Sequence, residues 1–196
     1  MSFNPDLQFR ATIIRGKAKN DLDNLLPNYA TIISDICPCS NTEFAKKFNS
    51  RLAPVIGNTN KKTLDNHRTE IAGKLFGLFY IDDKEMVYQS ERTLFFIEKS
   101  DQPAFFKDIC FTLQFPSGMD SLANVINKID SKLNIRQFPF IIKLLILAEE
   151  RGINLTKDEI GYYVLNCLEV LQGKISPTQV LNVISERREK NAYKKV

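Results

Sequence analysis

The chain is expected to fold as a mainly α-helical protein of two helical subdomains, the first closed by a small β-hairpin. Three observations lead there: apolar residues recur at three- and four-residue steps along most of its 196 residues; helix-capping residues and prolines punctuate those runs; and a lone pair of β-prone stretches lies near residue 80. The composition, 43% hydrophobic and 26% charged, is that of an ordinary globular protein. The longest apolar run, Phe138 to Ala148, is broken by Pro139 and Lys143 and falls short of the roughly 20 residues that span a bilayer. It is read as a buried helix. Polar residues interrupt any apolar stretch near the N-terminus, so neither a signal peptide nor a membrane role is expected, and the chain is placed in a bacterial cytoplasm.

The four cysteines, Cys37, Cys39, Cys110 and Cys167, lack the spacing of a zinc knuckle, and His67 is the only histidine. They are read as unpaired, mostly buried thiols, with no metal site. The net charge of +4 is too small to identify a polyanionic partner, but its distribution is uneven. Arg10, Arg15, Lys17 and Lys19 surround Gly16, opposed only by Asp6. Such an arm can follow phosphates or enter a groove, and it can equally be a solvated extension.

Beyond the arm, Leu22, Leu25, Leu26, Tyr29, Ile32, Ile33 and Ile36 mark one amphipathic helix that Cys37-Pro38 closes, with Pro27 able to split it or delay its start. Ser40-Asn41-Thr42-Glu43 offers a cap for a second helix, whose face is Phe44, Phe48 and Leu52 and which Pro54 is expected to stop. A third helix is expected over 61–76. On a wheel of about 100° per residue, Leu64, Ile71, Ala72, Leu75 and Phe76 form its packed side. Lys62, Asn66, Thr69, Glu70 and Gly73 then face outward, with Lys61, Thr63, His67 and Lys74 at the margins. Asn pairs with an adenine edge, Glu accepts from cytosine N4 and Thr serves either role, so this row has base-reading chemistry; a merely solvated polar face has the same composition. Gly73 on that side would admit a phosphate backbone.

Leu78 to Ile81 and Met86 to Tyr88, joined by Asp82-Asp83-Lys84-Glu85, read as a hairpin with an acidic tip. Three helices followed by a hairpin make a winged helix, a helix-turn-helix variant that normally puts its last helix in the major groove. The acidic tip argues that this wing faces something other than phosphate. Further helices are expected at Arg92 to Glu98, from Pro103 to Phe111, at Leu122 to Leu133, at Phe138 to Glu150, from Thr156 through Leu171, and from Pro177. Thr156 with Glu159, and Ser176 with Gln179, have capping-box spacing. The basic end, Arg187 to Lys195, is read as a solvated tail.

The stretches 8–20, 61–77 and 100–111 resemble the N-terminal recognition regions of BpuJI-like type IIS restriction endonucleases, over nearly the whole chain. Phe106-Lys107 and Gln114-Phe115-Pro116 are more loosely similar to AlwI-type endonucleases and nicking enzymes. The resemblance implies a recognition module of two winged-helix subdomains that reads a short asymmetric site in double-stranded DNA, with cleavage carried by a separate domain. The implied division is an arm over 1–20, a winged-helix subdomain over 21–100 and a second, partial one over 101–196, which stops short of its wing. The combined DNA-binding candidates are Arg10, Arg15, Lys17, Lys19, Lys61, Lys62, Asn66, His67, Arg68, Thr69 and Glu70, with Arg68 bordering the packed face. No catalytic residue is expected. Asp82 to Lys84 and Asp130 to Lys132 match a nuclease Asp-x-Lys only by letters, so magnesium is expected for a cleavage domain alone and no cofactor for this chain. The chain is expected to be monomeric. The competing reading is a winged-helix module for protein contacts, insensitive to salt and tolerant of changes in the arm.

Overall fold

The computed structural model describes residues 21–117 and 120–190. The arm, with Arg10, Arg15, Lys17 and Lys19, lies outside the described residues, as does the tail beyond 190. The chain divides into two compact units, 14–109 and a second containing 110–196.

In the first unit, helix α1 (Leu22–Ile36) buries Leu25, Leu26, Tyr29, Ala30, Ile32, Ile33 and Ile36. Pro27 lies inside this helix and does not split it. A proline has no N–H to give the carbonyl four residues back, here that of Asp23. The Gln102 side-chain amide donates to the Asp23 oxygen at 2.6 Å instead, so no carbonyl is orphaned. The short strand β1 (Cys39–Ser40) leads into α2 (Asn41–Ile56), where the Ser40 hydroxyl accepts from the Glu43 N–H. Pro54 does not stop α2. The last turn runs through it to Gly57, whose left-handed φ of 60° ends the helix.

The third helix begins as α3 (Lys61–Asn66), capped by the Asn60 side chain, and continues as a π-helix over His67–Leu75. Its packed side, Leu64, Ile71, Ala72, Leu75 and Phe76, is buried as expected. Gly73 is not on the outward face. A Cβ there would come within 3.1 Å of the Phe79 ring, so the glycine lets the following strand pack closely. The 100° wheel misplaced Gly73, which lies in a π-helix, where hydrogen bonds close one residue later than in an α-helix and the step per residue is smaller.

Gly77, with φ of 63°, turns the chain into strand β2 (Phe79–Ile81), and β3 (Met86–Gln89) returns antiparallel. The hairpin gains a third strand that periodicity did not reveal: β1 pairs with β3, giving the order β1-β3-β2. Helix α4 (Glu91–Lys99) buries Phe96 and Thr93, whose hydroxyl donates to the Leu78 carbonyl at 2.6 Å. Phe105 of α5 (Gln102–Thr112) meets Phe76 and Phe96 at ring separations of 5.6 and 5.7 Å, so edge-to-face aromatics join the end of the third helix to the end of the unit. Gly77→Ala is expected to cost about 1–2 kcal/mol, since an L-residue is forced into left-handed backbone, and its new Cβ would lie 3.1 Å from the Arg92 guanidinium. Chemical denaturation of the variant checks this.

In the second unit, an isolated bridge pairs Phe115 with Ile135. Helix α6 (Leu122–Asp130) ends earlier than the expected Leu133. It buries Lys128 while Leu122, Ile126 and Ile129 are exposed. Lys128 is held by Asp120 at 2.6 Å and lies 4.7 Å from the Phe115 ring centre, so its charge is paired and its stem fills the interior. Helix α7 (Gln137–Glu150) packs Leu144 and Ala148 against α10 (Pro177–Glu189). It is only half-buried, for Ile142, Leu145 and Ile146 are exposed. The run from Thr156 is not one helix. It starts as α8 (Lys157–Ile160), widens into a π-turn over Gly161–Leu165, and breaks at Asn166 and Cys167 before α9 (Leu168–Leu171). The break lets Cys167, Val170 and Leu171 all point into the core. Both capping boxes form. The four cysteines are free thiols, of which Cys39 and Cys167 are buried. Among the described residues no helix is long and apolar enough to cross a membrane.

Candidate nucleic-acid interface

The described candidates all lie on α3 and its π-helical continuation, where α1 and α2 hold the helix from behind. Lys62 and Asn66, four residues apart on the α-helical part, are exposed, and neither side chain has a partner among the described residues. One cation and one amide thus stand free on adjacent turns, with donor and acceptor groups uncommitted.

Lys61 is also exposed, but its ammonium contacts Asp65 at 2.6 Å. Asp65 is a residue that the sequence reading passed over. Its second oxygen accepts from Asn49 of α2 at 2.8 Å and from Arg68 at 2.9 Å. The hydrogen bonds from Lys61 and Asn49, with the nearby Arg68 charge, pull the Asp65 carboxyl down to about 2, so it is an anion at any ordinary pH. Arg68 is committed to this network: its side chain is 15% exposed, and it also reaches the Ala45 carbonyl and Asn49. Lys46, Asn49, Lys61, Asp65 and Arg68 together line a shallow groove between α2 and α3. The cluster ties α2 to the third helix. The i to i+4 spacing of Lys61 and Asp65 was legible as a pair, whereas Asn49 comes from another helix.

Farther along, the Thr69 hydroxyl donates to the Asp65 carbonyl at 2.9 Å, a back-bond within its own helix. Glu70 is paired with Lys74 at 3.0 Å, both about two-fifths exposed, an arrangement that solvent and incoming groups can open at little cost. His67 is half-buried, and its Nδ1 is hydrogen-bonded to the hydroxyl of Tyr29 on α1. Burial holds the imidazole below its usual range. The structure therefore leaves Lys62 and Asn66 exposed and uncommitted, pairs Lys61 and Glu70 with neighbours on the same helix, keeps His67 and Thr69 partly buried, and assigns Arg68 to the helix's support.

On the hairpin, Tyr80 and Tyr88 are cross-strand partners with rings stacked 5.5 Å apart, Tyr80 being largely exposed. The acidic tip is tied up locally: Asp82 accepts from the Lys84 and Met86 N–H groups, and Glu85 accepts from Asn41. These bonds shape the turn. Among the described residues no cluster of His, Cys, Asp and Glu could hold a metal ion.

No curated protein sequence matches the chain. A family model described as the N-terminal part of restriction endonuclease BpuJI matches residues 3–196. Among solved structures, the chain is similar to the BpuJ1 endonuclease binding domain, crystallised in complex with pyrene- and phenanthrene-modified DNA. The two are 61% identical with a TM-score of 0.91, over 100% of this chain and 70% of that one. With a family model covering almost its whole length and a fold to match, the chain belongs to the BpuJI N-terminal family of restriction endonuclease domains.

Proposed function

We propose that this chain is the sequence-reading module of a type IIS restriction endonuclease, binding a short asymmetric site in double-stranded DNA as a monomer. The uncommitted Lys62 and Asn66 on the third helix carry this reading. A helix backed by two others, with a free amide on its outer side, is built to enter a major groove and pair with a base edge. The DNA-bound relative, 61% identical over the full chain, supports the same assignment. In this reading Asn66 meets a base, Lys62 and Lys61 meet flanking phosphates, and Thr69 and Glu70 touch the next step of the groove. Arg10, Arg15, Lys17 and Lys19 of the arm take phosphates and the neighbouring groove. The chain supplies no cleavage chemistry or cofactor, and the parent enzyme's magnesium belongs with its cleavage domain.

Selection from a randomised duplex pool, followed by sequencing, tests the proposal. The expected result is enrichment of one short asymmetric motif with or without magnesium, lost on Asn66→Ala or Arg15→Ala while the thermal transition persists. A folded protein that enriches no motif would refute sequence reading by this chain.

A further inference from the structure

Tyr29 sits at the centre of the first unit's core, fully buried between Phe48 and Phe76. A phenol so placed must find a partner for its proton, because a buried unpaired hydroxyl forfeits its hydration with nothing in return. Its partner among the described residues is the Nδ1 of His67. Two arrangements are open to this bond. If Nδ1 carried the hydrogen, it would donate to the phenol oxygen and leave the phenol proton buried with no acceptor. If Nδ1 is bare, the phenol donates to it and both groups are satisfied. The second arrangement requires the ring's hydrogen on Nε2, the nitrogen at the far end of the half-buried imidazole. Nε2 has no partner among the described residues.

Resting on the reading of this helix as a DNA-contacting one, we propose that Tyr29 is a positioning residue: it locks His67 as the Nε2–H tautomer, so that the helix offers a fixed, neutral donor to an acceptor on a base edge. Major-groove acceptors of this kind are guanine O6, thymine O4 and a purine N7. A neutral donor discriminates against the amino groups of cytosine and adenine without the non-selective attraction that a cationic imidazole would have for every phosphate. The surroundings favour the neutral ring. The group in contact with it from α1 is Tyr29, whose own ionisation is pushed up by burial and by the Asp21 charge. The ring's shift arises from burial. Protonation would also turn the Nδ1 acceptor into a donor and break the bond to Tyr29.

Because His67 is the only histidine, a long-range proton–nitrogen NMR spectrum of the labelled chain contains one imidazole. The expected spectrum has Nδ1 bare and Nε2 protonated across about pH 6 to 8, where a free imidazole would titrate. In Tyr29→Phe the two tautomers should mix and the ring should titrate at higher pH. A wild-type ring with hydrogen on Nδ1 would overturn the inference whatever the chain binds. On the duplex recovered from the pool, His67→Ala and Tyr29→Phe should each weaken binding about fivefold to tenfold, the worth of one hydrogen bond. The double variant should be no weaker than His67→Ala alone, since the two residues act through one contact. His67→Gln, which keeps a donor, should recover part of the loss, and this comparison decides the matter if Tyr29→Phe does not fold. Unchanged affinity in His67→Ala, beside the expected tautomer and an enriched motif, would overturn the donor role while leaving DNA reading intact. No motif at all would strike the underlying reading instead.

Discussion

Replacing Arg188 with alanine is expected to destabilise the second unit by about 3 kcal/mol, the low end of the range for a broken buried ion pair. The Glu159 side chain is 1% exposed and does two jobs. Its Oε2 accepts from the Thr156 N–H and hydroxyl, completing the capping box of α8. It also meets the guanidinium of Arg188 on α10, Nε to Oε1 at 2.9 Å and Nη2 to Oε2 at 2.7 Å. This two-pronged pair, extended by Nη2 to the Asn154 carbonyl at 2.7 Å, ties the start of α8 to the end of α10. Alanine at 188 strands a buried carboxylate, and water entering where the one-third-exposed guanidinium lay recovers part of the loss.

The effect has a pH signature. Burial by itself would raise the Glu159 carboxyl, but the hydrogen bonds from Arg188 and Thr156 outweigh it and hold the group below its ordinary value. A carboxyl depressed in the folded state contributes stability above its unfolded value and loses it as pH falls through the folded one. Wild type and Arg188→Ala should therefore differ most at neutral pH and converge below about pH 4. Urea denaturation of both chains at the two pH values reads this. A gap that is the same size in acid would mean that Arg188 acts by packing alone.

The second large effect concerns salt. If the four arm cations and the lysines at 61 and 62 each meet a phosphate, raising salt from about 50 to 200 mM should weaken binding to the selected duplex about a thousandfold. Each alanine replacement among them should reduce the logarithmic salt slope by about 0.9. Two controls separate kinds of contact. Asn66→Ala should weaken binding with its slope unchanged, because an amide displaces no counterions. Arg68→Ala should also leave the slope alone and lower the melting temperature, since its guanidinium is spent on Asp65, Asn49 and the Ala45 carbonyl. A flat salt response in the wild-type chain would contradict phosphate binding by these residues.

Where the signal was local, the sequence was readable. The apolar faces of α1 and α2, the cap at Ser40 and the boxes at Thr156 and Ser176 each depend on residues within a turn or two of one another. What was missed depends on distant partners. Pro27 is tolerated because Gln102, 75 positions later in the chain, supplies the missing hydrogen bond. Strand β1 exists because β3 arrives beside Cys39 and Ser40. Tyr29 scored as one more apolar position, and only the fold brings its hydroxyl to His67. Asp65 was passed over for the same reason, since Asn49, which closes around it with Arg68, comes from another helix. On the third helix the exposure of Lys62 and Asn66 was legible, because both lie on its regular α-helical part. Gly73 was misplaced because what lies against it is Phe79 of the following strand, which the helix's own periodicity does not report.

That π-helix also bears on how such a module can change over generations. A π-turn holds more chain than the α-turn spanning the same rise, so the stretch between His67 and Leu75 carries slack. Loss of a residue there can be absorbed by tightening toward α-helix while Leu64 and Phe76 stay seated in the core. The outer row would be re-indexed, each outward position passing to its neighbour in the chain. Insertion and deletion, as well as substitution, would thereby change which side chains this row presents.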